Sequence, residues 1–136
     1  MDYTCEVMIN ARLEEVLNAL LDHETMLKWQ KELSRVVPVE QEENSYLLFY
    51  KVGNEELAMK ETIKEENLPE SITYRYEVPG AFKEDYNYFI EQEDKTLWVV
   101  NVALHFDQPN LIPKDAFNQK TVSDMLRFKE FIEMNQ

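Results

Sequence analysis

The sequence predicts an α+β fold in which a curved antiparallel sheet of about seven strands wraps around a long C-terminal helix. Apolar residues alternate with period two in one segment before a pair of short helical segments, and in about six consecutive segments after it. Short turns join the later segments, which is typical of an antiparallel meander. The C-terminal segment repeats apolar residues at helical spacing, and it alone is long enough to cover one face of the sheet.

The N-terminal segment predicts one strand followed by two short helices. In "DYTCEVMIN", alternate residues from Tyr3 to Ile9 share one face. The next stretch, "LEEVLNALLD", has an apolar stripe at helical spacing, formed by Leu13, Val16, Leu17, Leu20 and Leu21. A weaker helical pattern in "ETMLKWQKEL" contains Trp29, which we expect where the second helix leads into the next strand.

The following segments predict the meander. Pro38 within "SRVVPVEQE" favours an edge or bent strand, because proline cannot donate a ladder hydrogen bond. Gly53-Asn54 and Pro79-Gly80 are turn signals, and a polar turn at 93–95 separates the last two strands. In the final strand, "TLWVVNVALHFD", the more apolar face is predicted to be concave, and it carries Trp98, Val100, Val102, Leu104 and Phe106.

The C-terminal helix is predicted to be gripped deeply by the sheet. Pro113 precedes it, and Asp115 is its expected N-cap. One wide apolar face is formed by Phe117, Thr121, Met125, Phe128 and Ile132.

Length and charge exclude several classes of protein. A chain of 136 residues fits one domain over residues 1–136. The formal charge of −13 disfavours binding to nucleic acid or to anionic lipid. No apolar run is long enough for a membrane span and no signal peptide is visible, so we expect a cytoplasmic protein without stable membrane insertion. Cys5 is the only cysteine, so it cannot form an internal disulfide, and we interpret it as a core residue.

The order of these elements resembles the START/polyketide-cyclase-like superfamily (SRPBCC), which has the helix-grip fold of the pollen-allergen-like proteins. The most specific part is "INARLEEVLNALLDHETMLKWQ", and "KETIKEENLPESITYRY" and "MLRFKEFIE" match more loosely. The resemblance covers essentially the whole chain. It implies that the two short helices close one end of the sheet and that an apolar cavity lies between the sheet and the long helix. No catalytic motif is common to the superfamily, so the resemblance implies an architecture rather than a reaction.

Glu61 is the candidate catalytic residue. It shares a strand face with Leu57, Met59 and Ile63, all apolar. If that face is concave, burial would raise the pKa of Glu61 and suit it to general acid–base chemistry. The structural alternative places Glu61 near a cavity mouth or in an ion pair with a base such as Lys129.

Four tyrosines form the second candidate group. Tyr74, Tyr76, Tyr86 and Tyr88 alternate on two strands that we expect to be adjacent, and both core packing and ligand contact explain them. Glu84, in phase with the second pair, is expected at the rim. The complete set of candidate ligand-binding residues is Trp29, Met59, Glu61, Tyr74, Tyr76, Tyr86, Tyr88, Val100, Val102, Met125 and Phe128.

No metal site or cofactor is predicted. His23 and His105 are both expected to be exposed and, with Cys5, are far apart in sequence. Phosphate-binding and dinucleotide-binding loops are also missing from the sequence.

Three functions remain open at this point. The first is binding of a small hydrophobic ligand, lipid-like, polyketide-like or aromatic, in a cavity between the sheet and the final helix, by a monomer or homodimer. The second is a cyclase or aromatase type of enzyme that uses cavity Glu and Tyr side chains as acid and base. The third is a protein-interaction module.

Overall fold

The computed structural model describes residues 2–107 and 114–135. The helices and strands, in chain order, are β1 (Tyr3–Ile9), α1 (Leu13–Leu20), α2 (His23–Trp29), β2 (Leu33–Pro38), β3 (Ser45–Val52), β4 (Glu55–Asn67), β5 (Ser71–Val78), β6 (Ala81–Gln92), β7 (Lys95–Phe106) and α3 (Lys114–Met134).

The strands form one antiparallel sheet of seven strands in the order β1-β7-β6-β5-β4-β3-β2. Strands β2 to β7 are neighbours in chain order, which confirms the predicted meander. The strand that contains Pro38 is an edge strand, as predicted, so the missing N–H of proline costs no hydrogen bond in the interior of the sheet.

Three tight turns fix which side chains face inward. Gly53, with a φ of 63°, lies in the two-residue turn that brings Val52 opposite Glu55. Similar turns pair Val78 with Ala81 and Gln92 with Lys95. Because side chains alternate between the two faces of a strand, each turn determines the face of every residue along its hairpin until a bulge intervenes.

The predicted apolar face of α3 is confirmed as the face that packs inward. Thr121, Met125, Phe128 and Ile132 are buried, and Phe117 is half-buried against the same core. The backbone of α3 runs close to β1, α1 and α2, and it stays further from the middle strands β4 and β5. Inward side chains of those strands, among them Met59, Tyr74 and Tyr76, pack partly buried against the same core.

The two short helices pack on the same core. Val16 of α1 is fully buried, and the other members of its predicted stripe pack partly buried around it. Met26 and Trp29 of α2 are buried as well. Trp29 ends α2, four residues before β2 begins at Leu33, as the sequence suggested.

The predicted N-cap of α3 is wrong. Asp115 lies within the first turn of α3 instead of capping it, because the helix already includes Lys114. Pro113, expected just before the helix, lies outside the described residues.

Among the described residues, no helix combines the length and the apolar character that crossing a membrane requires.

Candidate functional site

Glu61 lies on the concave face of the sheet, on β4. Its neighbours across the sheet are Tyr46 on β3 and Tyr76 on β5, and its own side chain is 1% exposed. The apolar phase of β4 and the turn at Gly53 bring this carboxyl inward. Glu61 is therefore buried, as expected on the condition that the apolar face of β4 is the concave one.

The partner of Glu61 is His23, and the sequence did not reveal it. His23 Nε2 lies 2.7 Å from Glu61 Oε1, which is a short hydrogen-bond distance. The imidazole also packs against the ring of Tyr46, with 4.3 Å between centroids. The expectation that His23 is exposed is therefore wrong, because α2 lays its first residue over the sheet.

Lys129, proposed from the sequence as a possible partner of Glu61, lies elsewhere. Its Nζ donates to the backbone carbonyl of Met8 and forms an ion pair with Glu133 one helical turn away. Lys129 therefore links α3 to the end of β1, and the partner of Glu61 is His23.

Besides Tyr46, three tyrosines lie on the inner side near the Glu61–His23 pair: Tyr50, Tyr74 and Tyr76. The rings of Tyr74 and Tyr76 stack with 5.9 Å between centroids, and the Tyr50 hydroxyl donates to Gln30 Oε1 over 3.0 Å. Burial, followed by the nearby charge of Glu61, raises the pKa of Tyr74 and Tyr76 above the ordinary tyrosine value. Neither of these two hydroxyls has a hydrogen-bond partner among the described residues.

Tyr86 and Tyr88 face the other way, which corrects the prediction that they join Tyr74 and Tyr76. The register pairs Tyr74 with Asp85, and Tyr86 with Thr73, so the two tyrosines of β6 lie on the convex face. Tyr88 is 42% exposed, and the Tyr86 hydroxyl donates to Glu84 Oε1 on the same face.

The inward residues of β6 are polar instead. Asp85 lies opposite Tyr74 and Val102, with one oxygen 3.3 Å from Lys83 Nζ. Burial raises the pKa of Asp85, and the neighbouring ammonium only partly counteracts this. Asn87 accepts a hydrogen bond from Trp98 Nε1 over 2.9 Å and donates to the carbonyl of Ile72, so its amide is fully used within the core.

The remaining candidate residues form the apolar surroundings of this cluster. Val100, Val102, Met125 and Phe128 are buried, and Met59 is half-buried two positions from Glu61. The ring of Trp29 meets Phe128 edge-on, with centroids 5.3 Å apart. These residues pack against each other, so packing explains their burial without a ligand.

Three buried side-chain polar atoms have no hydrogen-bond partner within the described part of the chain: Trp29 Nε1, Glu61 Oε2 and Asp85 Oδ1. Each such atom costs about 1–3 kcal/mol if it stays unsatisfied, which is a large fraction of a domain's stability. A bound molecule or ordered water that reaches them recovers this free energy. We define Glu61, His23, Tyr74, Tyr76, Asp85 and Trp29 as the inner polar cluster.

The surface grooves are separate from this cluster. One open groove of about 550 Å³ follows the outer side of α3 and is lined by Asn118, Gln119, Val122, Ser123, Leu126, Arg127 and Glu130. None of these residues is buried. The groove offers apolar contact but no buried polar group, so we assign the candidate site to the inner polar cluster.

The buried phenols predict a loss of stability in alkali. Burial raises the pKa of Tyr3 to about 12 and also raises those of Tyr50, Tyr74 and Tyr76. The unfolded chain ionises near pH 10, so the stabilisation is complete below about pH 10 and is lost as the pH rises through the folded values. Urea unfolding at about pH 9 and about pH 11, with tyrosinate absorbance as a second readout, measures this loss. Equal unfolding midpoints at the two pH values would contradict it.

Comparison with known proteins finds similarity in structure alone: no protein-family model and no curated protein matches the chain. Ara h 8.0201 superposes with a TM-score of 0.80 at 9% identity, covering 97% of both chains. A START superfamily protein from Mycobacterium smegmatis gives 0.79 at 12% identity, covering 98% of both. The Zhui aromatase/cyclase from Streptomyces sp. R1128 gives 0.76 at 14% identity, covering 96% of this chain and 92% of that one. Likeness at these identities is a likeness of fold, and the chain has the helix-grip fold of START-like (SRPBCC) proteins.

Proposed function

We propose that the chain binds a small, largely apolar molecule between the concave face of the sheet and α3. The observation that carries this proposal is the set of three unpartnered buried polar atoms, on Trp29, Glu61 and Asp85, within surroundings that are otherwise apolar and aromatic. Ligand sites in proteins combine an apolar lining with a few polar groups that are free to bind the ligand. The fold supports the proposal, since it is shared with START-like proteins.

The position of the inner polar cluster defines how the molecule is held. The Tyr74 and Tyr76 rings provide flat apolar contact, and their hydroxyls, which have no partner in the described part of the chain, are available to a polar substituent. Glu61 is held by His23, so it does not reorient freely when a ligand arrives. The apolar part of the ligand then lies along the tyrosines and its polar end reaches the carboxyl groups.

Binding of a neutral fluorescent naphthylamine, N-phenyl-1-naphthylamine, tests this proposal. We expect saturable enhancement of the dye's fluorescence at one dye per chain. Tyr76→Ala removes ring contact on the concave face and is expected to weaken binding by about fivefold, which corresponds to about 1 kcal/mol.

Tyr88→Ala is the matched control, because it removes the same side chain from the convex face of the neighbouring strand. Its affinity for the dye should equal that of the unchanged chain. Equal weakening by both variants would place the dye on the outer surface, and a dye that does not saturate would refute the proposed function.

The second candidate function is proton transfer on the bound molecule, of the cyclase or aromatase type. The distance of 2.7 Å between His23 Nε2 and Glu61 Oε1 favours it, because a carboxylate that orients an imidazole is a recurrent acid–base arrangement. The Zhui aromatase/cyclase has the same fold, which supports this second function by analogy only.

Extraction of the protein from its own host, followed by mass spectrometry of the released small molecule, distinguishes the two functions. A carrier returns one molecule in stoichiometric amount, and that molecule stays unaltered when it is incubated with fresh protein. An enzyme converts it, and Glu61→Gln then abolishes conversion while the naphthylamine still binds. Unchanged turnover in that variant would remove Glu61 from the mechanism.

A further inference from the structure

The two carboxyl groups on the concave face each have one basic partner and one oxygen without a partner among the described residues. Glu61 Oε1 lies 2.7 Å from His23 Nε2, and one oxygen of Asp85 lies 3.3 Å from Lys83 Nζ. Asp124 of α3 is near enough to raise the pKa of both Tyr50 and Asp85, but it forms its own ion pair with Lys120. A ligand therefore meets the second oxygen of each inner carboxyl group rather than an unbalanced charge.

Two of the three unpartnered buried atoms in the described part of the chain are hydrogen-bond acceptors. Glu61 Oε2 and Asp85 Oδ1 are carboxylate oxygens, which accept hydrogen bonds, and both are completely buried. Trp29 Nε1 is the one unpartnered buried donor among the described side chains. A molecule that satisfies this site must therefore bring N–H or O–H donors, and a carboxylate or phosphate would face repulsion.

The aromatic rings favour a cation in the same place. Lys83 Nζ already lies 5.2 Å from the centroid of the Tyr76 ring, within the range of a cation–π contact. Tyr74 stacks beside Tyr76, so the two rings form a continuous aromatic surface next to Glu61 and Asp85. Lys83 shows that this surface accepts a positive charge, and it leaves the Tyr74 ring and the second oxygens of Glu61 and Asp85 without a cation among the described residues.

We propose that the ligand is an amphiphilic amine, whose protonated nitrogen lies between Glu61 and Asp85 and whose apolar body lies along Tyr74 and Tyr76. The inference rests on the proposed function, since it names the chemical class of the molecule that the inner polar cluster binds. Fatty acids and other apolar anions are expected to bind more weakly, because their carboxylate would face the unpartnered oxygens of the same carboxyl groups.

Displacement of the bound naphthylamine by three matched probes tests the inference. 4-Phenylbutylamine, 4-phenylbutanol and 4-phenylbutyrate share the ring and differ in the polar end. We expect the amine to bind at least about tenfold more tightly than the alcohol, and the acid to bind most weakly. The titrations are made in high salt, because the net charge of −13 attracts any cation to the surface.

Two variants test whether the inner carboxyl groups cause the preference for the amine. Asp85→Asn and Glu61→Gln each remove one inner charge while keeping the side-chain shape, and each should reduce the preference for the amine over the alcohol by about tenfold. Glu6→Gln removes one exposed charge from the outer face of β1 and should leave the preference unchanged. Thermal melting confirms that each variant is folded before its affinities are compared.

The outcomes separate the inference from the proposed function. Equal affinity for amine and alcohol, or tighter binding of the acid, would overturn the amine assignment while binding of the naphthylamine upholds the site. A preference for the amine that survives both inner substitutions would also overturn it, because the cation would then be attracted by the surface. Absence of saturable naphthylamine binding would instead refute the proposed function.

Discussion

Phe128→Ala is expected to lower the free energy of unfolding by about 3–5 kcal/mol, the largest effect of any apolar truncation in α3. Phe128 is fully buried, and its ring meets Trp29 and Trp98 edge-on, with centroids 5.3 and 5.6 Å away. The substitution removes buried apolar surface, breaks two aromatic contacts and leaves a cavity beneath the helix. Urea denaturation followed by far-ultraviolet circular dichroism measures the change.

Leu126→Ala is the matched control in the same helix. Leu126 is 51% exposed, so its truncation should change the free energy of unfolding by no more than about 0.5 kcal/mol. If the two variants were equally destabilised, the inward face of α3 would not be the one that holds Phe128. If neither lost stability, α3 would contribute little to the core.

The helical face of α3 could be predicted because an uninterrupted apolar stripe leaves little choice. Thr121, Met125, Phe128 and Ile132 recur at three or four residues, and burying any other face would expose them all. The meander was equally predictable, since turn residues such as Gly53 and Pro79-Gly80 leave only short connections between strands. In both cases a local pattern and the burial of apolar surface favour the same structure.

In β6 the local pattern of aromatic residues and the observed buried face disagree. Its aromatic residues Tyr86 and Tyr88 suggest an inward face, but they lie outside, and Asp85 and Asn87 lie inside. Register decides between the two faces: the two-residue turn at 93–94 pairs Gln92 with Lys95 and therefore Phe89 with Trp98. Since Trp98 was predicted to be concave, counting back from the turn would have placed Asp85 inward. The inward face of β6 could thus be predicted from the length of the turn between β6 and β7, but not from the residue types within β6.

The Glu61–His23 pair could not be found in this way. The two residues are separated by 38 positions and lie on a strand and a helix that share no hydrogen-bond ladder. Where α2 lies over the sheet depends on how Met26 and Trp29 pack into the core, which is a property of the whole fold. Local pattern therefore identified Glu61 as an inward carboxyl but left its partner unknown.

His23→Ala is expected to destabilise the chain by about 3 kcal/mol, because both oxygens of a carboxyl group that is 1% exposed would then lack a partner. His105→Ala removes the other histidine, which is exposed on the convex side of β7 and stacks on Phe82 with 4.8 Å between centroids, and it should cost no more than about 1 kcal/mol. Adding Glu61→Gln to His23→Ala should recover part of the loss, since a neutral amide is cheaper to bury than an unpaired carboxylate. Urea unfolding of the four chains, unchanged, single and double, gives the coupling energy of the pair. A coupling energy near zero would mean that water satisfies Glu61 when His23 is absent, and the pair would then hold neither the helix nor the ligand site in place.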